Sequence, residues 1–143
     1  MIMEKGFEIL TEITDVRMRV WGKTIKELFG NALAGVAFYL IPDTETLTRG
    51  GRKIKETIRV EAPDLNSLMI EFLSEVVARS DIHDVVFNAM TFKEFGENFL
   101  EGELIGVHTA GFEKDIKAVA YDEVDIKKNP DTGFFETVLV FDV

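Results

Sequence analysis

Two aspartates at opposite ends of the chain, Asp15 and Asp142, are the residues whose type and setting best suit chemistry. Asp15 stands at the mouth of an alternating strand pattern, and Asp142 interrupts another, on the same parity as the apolar Val138 and Val140. A carboxylate that continues an apolar face needs a partner, because an unpaired buried charge is costly or becomes protonated. If Val143 is the natural terminus, its α-carboxylate adds further oxygens beside Asp142. Hard oxygen donors with neither Cys nor His suit Ca²⁺, Mg²⁺ or Mn²⁺ and do not suit Zn²⁺. A turn aspartate and a frayed chain end account for the same residues, and spacing alone leaves both readings open.

Other chemistries are harder to build. The chain has no cysteine, which excludes disulfides, thiol catalysis and cysteine-ligated zinc or iron-sulfur centres. It carries no P-loop, no dinucleotide-binding glycine fingerprint and no nucleophile elbow, and its two histidines, His83 and His108, stand in unrelated contexts. The expectation is therefore a protein that is not an enzyme. With 26 acids against 16 bases, the formal charge of −10 opposes direct binding of a phosphate backbone and favours a basic protein surface or a metal cation. No apolar run approaches the roughly 20 residues of a membrane span. Residues 1–6 lack the pattern of a signal peptide, so a soluble cytoplasmic protein is expected.

The elements that must position the aspartates can be read in order. Residues 7–42 read as strand, acidic turn, strand and helix. Val16, Met18 and Val20 alternate with Arg17, Arg19 and Trp21, the period of a strand with one face on a core. Thr24 and Glu27 have capping-box spacing, and Ile25, Leu28, Phe29, Ala32, Leu33, Val36, Ala37 and Leu40 mark one buried helix side that stops before Pro42. Between Asp43 and Arg52 the chain is polar and ends in Gly50-Gly51, which predicts a loop. A half-exposed strand follows over 54–62, then a helix capped by Asp64 that ends near Ser80, with Leu68, Met69, Phe72, Leu73 and Val76 on its inner face. Residues 85–92, 98–107, 114–128 and 134–143 read as strands, with turns at 94–98 and 129–133. The sum is an α+β fold: residues 1–143 as one two-layer domain, with two helices on an antiparallel or mixed sheet of about six strands.

Several stretches also carry a family resemblance. Phe7-Glu8, Thr14-Asp15-Val16 and Val20-Trp21-Gly22-Lys23-Thr24 resemble the opening of the archease family, whose members carry Asp-His-Thr-Ala-Asp before a strand ending in Trp-Gly. Asp64-Leu65-Asn66-Ser67-Leu68 with Phe72-Leu73-Ser74-Glu75 resembles the second helix of that family. Ile116-Lys117-Ala118-Val119-Ala120-Tyr121 and Leu139-Val140-Phe141-Asp142-Val143 resemble its later segments, in the same order and nearly end to end. The resemblance implies an accessory protein that activates an RtcB-type tRNA-splicing ligase by promoting guanylylation of the ligase histidine with GTP. It also implies a chaperone role toward a tRNA methyltransferase as the alternative.

The family's divalent cation, Ca²⁺ foremost, is held by the last Asp of the opening motif and the penultimate Asp of the chain, which correspond to Asp15 and Asp142. The first Asp and the His of that motif are replaced by Thr11 and Glu12, and the residue after Tyr121 is Asp122 where the family often has His. Glu12 or Asp122, with the Val143 carboxylate, then stands in as the further oxygen source. Lys117 becomes a candidate contact to a partner's carboxylate or phosphate, with a solvated strand lysine as the competing reading.

Overall fold

A computed structural model describes residues 6–11 and 15–143. Eight strands and three helices follow in the order β1 (Phe7–Thr11), β2 (Asp15–Gly22), α1 (Ile25–Leu40), α2 (Thr44–Gly50), β3 (Lys53–Glu61), α3 (Leu65–His83), β4 (Val85–Phe95), β5 (Phe99–His108), β6 (Ala118–Ala120), β7 (Lys127–Lys128) and β8 (Phe135–Asp142). The α+β class holds, and every strand pairing is antiparallel. The strands divide between two sheets rather than forming one. The first runs β1-β2-β8-β6, with β7 also on β8, and the second runs β3-β5-β4.

The helices explain why a single sheet does not suffice. Helix α1 lies against β2 of the first sheet and β4 of the second, while α3 touches β3, β4 and β6. The predicted stripe of α1 is buried, and Gly35 and Tyr39, on the same side beside Leu28, are buried with it, which makes the inner face broad. Gly35 lets β2 approach: a Cβ there would stand 2.3 Å from the Met18 sulfur. Phe29 is fully buried and packs against Phe72 of α3 and Phe95 of β4, with ring centroids 5.7 and 5.0 Å apart.

Local chemistry sets most boundaries where the spacing predicts them. Thr24 accepts the Glu27 amide at 3.1 Å, and Glu27 reaches back to the Lys23 amide at 2.9 Å, one residue before the cap. Helix α1 stops at Leu40, with Ile41 extended before Pro42. The turn over 129–133 closes through the Asn129 side chain, which accepts the Asp131 and Thr132 amides, and through Gly133 at φ +76°.

Two expectations fail locally. Residues 44–50 form the short helix α2 instead of a loop, closed by the Gly51 amide on the Leu47 carbonyl at 2.9 Å and anchored by the Thr44 hydroxyl on the Ile41 carbonyl. The segment 114–128 is strand only at 118–120 and 127–128. Between these, the chain leaves the sheet to bond helix α3, with the Tyr121 hydroxyl donating to Glu71 and the Ile126 amide donating to Asn66 Oδ1 at 2.8 Å.

Helix α3 runs three residues past Ser80 to His83, ended by Asp84 in the left-handed region at φ 55°. At its start, Asp64 accepts the Ser67 amide at 2.8 Å, and that hydrogen bond holds its carboxyl below the ordinary aspartate value. A carboxyl depressed by folding contributes stability that is present above its unfolded pKa, near pH 4, and is lost as pH falls through the folded value. Asp64→Asn caps comparably without titrating. Melting curves between pH 2 and 6 are expected to show a shallower acid limb for this variant than for the natural chain, and identical limbs would count against the cap's titration.

Candidate functional site

Strand β2 begins at Asp15, and its register against β8 sets Asp15 directly opposite Asp142, with the pairing running to Gly22 opposite Phe135. On the far side of β8, Ala118 faces Asp142. The two aspartates predicted from opposite ends of the sequence are therefore cross-strand neighbours. Their row of the sheet points away from the helices. Val16, Leu139 and Phe141 on the other parity are the core residues, whereas Asp142, Val140 and Val138 continue the outer face that also carries Arg17 and Arg19. The apolar face that Asp142 continues is thus not the main core. Val140 is nevertheless buried at 7% exposure, with Arg17 as its cross-strand neighbour.

Directly opposed residues on a sheet hold their Cβ atoms about 4.5–5.5 Å apart, and like charges in that position repel. One oxygen of the Asp15 pair member, Oδ1, is buried without a hydrogen bond. Arg17 Nη1 approaches it at 3.8 Å, an ion-pair distance but not a hydrogen bond. Two further nitrogens of that guanidinium bond Glu123: Nε donates to Oε1 at 3.3 Å, and Nη2 donates to Oε2. The bond from Arg17 holds the Glu123 carboxyl below its ordinary range. Arg17 and Glu123 are neighbours of the candidate site that the sequence did not single out. The available signal was parity, since Arg17 lies two residues along β2 from Asp15 and shares its face.

The remaining candidates are distributed as follows. Lys117 donates its backbone amide to the Asp142 carbonyl at 2.7 Å, and its exposed side chain lines a groove of about 490 Å³ with Ser74, Asp81 and Asp115. Asp122 is exposed in the turn after β6, next to Glu123. Val143 follows β8 with 41% of its surface exposed. Glu12 lies outside the described residues. Among the described residues, no three His, Asp or Glu side chains gather closely enough to hold a metal, so Asp122 does not join Asp15 and Asp142. The histidines sit elsewhere: His83 Nδ1 lies 2.8 Å from Glu56 Oε2, and His108 Nδ1 lies 3.3 Å from the Asp84 carbonyl.

The donor set fits a divalent cation in kind. Two carboxylates are brought together by register, one of their oxygens lacks a donor, and all are hard ligands. No helix of the described chain is long and apolar enough to cross a membrane.

Comparison with known proteins agrees with this architecture. The family model described as "Archease protein family (MTH1598/TM1083)" matches residues 7–143. The chain is 31% identical over 135 residues to the protein archease of Methanosarcina barkeri, covering 89% of this chain and 90% of that one. It is 30% identical over 148 residues to the protein archease of Pyrococcus furiosus, covering 97% and 99%. Among solved structures, Methanobacterium thermoautotrophicum protein 1598 shares the fold at a TM-score of 0.69 with 21% identity, over 97% of this chain and 99% of that one. A Thermotoga maritima archease, described as a possible chaperone, does so at 0.63 with 14% identity, over 95% and 96%. Sequence match and shared fold over nearly the whole length lead to one assignment: the chain belongs to the archease family.

Proposed function

We propose that this protein is an accessory factor, not an enzyme, that activates an RtcB-type tRNA-splicing ligase by promoting its GTP-dependent guanylylation, with a divalent cation, Ca²⁺ foremost and Mg²⁺ or Mn²⁺ otherwise, held by Asp15 and Asp142. The observation that carries the metal part is the direct cross-strand opposition of the two aspartates with a buried oxygen that lacks a donor. Membership of the archease family supports the ligase part.

The mechanism is electrostatic. Asp15 and Asp142 would hold the cation, with Glu12 as a further donor. When bound, the cation supplies positive charge that counters phosphate oxygens. The chain's own residues do the rest. Its excess of carboxylates steers it to the basic mouth of a ligase that itself binds nucleic acid and GTP. Strand pairing holds the site rigid, because the Asp142 backbone is bonded on both sides, to β2 and to the Lys117 amide. The Lys117 side chain, in the groove it lines with Ser74 and Asp81 of α3, would serve a partner carboxylate or phosphate there.

A second reading is favoured by the description of the Thermotoga relative as a possible chaperone: an interaction module for an RNA-modifying enzyme such as a tRNA methyltransferase, with no metal requirement. One assay separates the two. The ligase of the same organism is supplied with GTP and Mn²⁺, with and without substoichiometric amounts of this protein, and labelling of the ligase is followed. Faster labelling through several turnovers is expected. Unchanged labelling would set the ligase reading aside in favour of the second.

A further inference from the structure

We propose that Arg17 is an internal cation that competes with the divalent ion for Asp15, so that Arg17 and its partner Glu123 set the metal affinity of the site. This rests on the metal reading above. Arg17 projects from the same face of β2 as Asp15, its Nη1 stands 3.8 Å from the otherwise unpartnered Asp15 Oδ1, and its Nε and Nη2 are hydrogen-bonded to Glu123. Among the described residues, the guanidinium serves two carboxylates unequally. Glu123 holds it by a two-pronged bond, and Asp15 has only its field. The planar fork of arginine permits this division, since one edge can serve a carboxylate while the remaining nitrogen faces elsewhere.

A divalent ion on Asp15 and Asp142 must sit close to this fixed positive charge. A double and a single charge about 6 Å apart in a water-like dielectric repel by an amount that corresponds to about a tenfold loss of affinity. Glu123 moderates the loss in two ways: it neutralises part of the guanidinium charge, and it keeps the group from closing fully on Asp15. The Glu123 side chain belongs to the segment between β6 and β7, which is also tied to α3 through Tyr121 and Glu71. An ion in the site repels the guanidinium toward Glu123, so this segment supplies the carboxylate that receives the displaced charge.

The test is titration calorimetry of the full chain with CaCl₂ and, separately, MnCl₂, with melting curves to verify folding. Arg17→Gln is expected to bind about tenfold more tightly than the natural chain, and Arg17→Lys, which keeps the charge, within about threefold of it. Glu123→Gln is expected to weaken binding severalfold where Arg17 is present and to have little effect in the Arg17→Gln background, because the two act through one contact. An ion that binds only once Arg17 is removed supports the proposal most directly. Equal affinity of Arg17→Gln and the natural chain overturns it and leaves the metal reading standing, as does equal tightening by Lys and Gln. A Glu123→Gln effect that persists without Arg17 also overturns it. If neither the natural chain nor any variant binds either ion, the metal reading fails and takes this one with it.

Discussion

Asp142→Asn is expected to abolish divalent-ion binding and ligase activation while leaving the fold intact. The side chain stands on the outer face of the first sheet, exposed, and what ties it to the structure is backbone: the β2 register on one side and the Lys117 amide on the Asp142 carbonyl on the other. Asparagine preserves both. It removes one of the two opposed carboxylates, relieving a like-charge repulsion of about 0.2–1 kcal/mol, so the melting temperature is expected to hold or rise slightly. The proposed site loses one of its two opposed carboxylates, and its affinity is expected to fall by about 100-fold or more, since ligand charge sets affinity across several decades in oxygen-only sites. Calorimetry with Ca²⁺ or Mn²⁺ and guanylylation of the ligase read the two consequences separately. An Asp142→Asn protein that still binds the ion at natural affinity would remove Asp142 from the site, and one that activates fully without binding would separate activation from metal.

Phe29→Ala is expected to give the largest loss of stability in the chain. Phe29 is fully buried in α1 and joins it to α3 through Phe72 and to the second sheet through Phe95. Truncation removes the apolar burial and leaves a cavity bounded by elements that are braced against the first sheet and cannot all move in, a combination that costs about 3–5 kcal/mol. Domains of this size have about 5–15 kcal/mol in total, so the variant is expected to sit near the edge of folding, with its melting temperature lowered by on the order of 15 °C. Ile82→Ala is the matched control, because that side chain is 73% exposed on the same protein and its loss should stay within about 0.5 kcal/mol. Urea denaturation of the two variants beside the natural chain measures the contrast, and a Phe29→Ala loss below about 1 kcal/mol would mean that the helix is not the keystone of the core.

The pair Asp15 and Asp142 shows how far residue order reaches toward a candidate site. Both were legible because each breaks an alternating strand pattern, and such patterns are local properties of residue order. The capping residues Thr24 and Asp64, the stop before Pro42 and the glycine turn at Gly133 were legible for the same reason, since each acts through hydrogen bonds or torsions within a few residues. The short helix α2 was not. Its polar sequence lacks an amphipathic stripe, and its anchor is the Thr44 hydroxyl on carbonyls of the preceding helix end.

Residue types and spacing by themselves determined the α+β class, the two long helices, the apolar positions that fill the core and the acidic residues from which a cation site could be made. Tertiary structure alone decided how the strands divide between two sheets, because pairing partners such as β2 and β8 lie more than a hundred residues apart and periodicity carries no information about which strand will be the neighbour. It also decided that Asp15 meets Asp142 while Asp122 does not join them, and that Arg17 turns to Glu123. Charges interact through distance in space, and that distance follows from register and chain crossing, which exist only once the whole chain has folded.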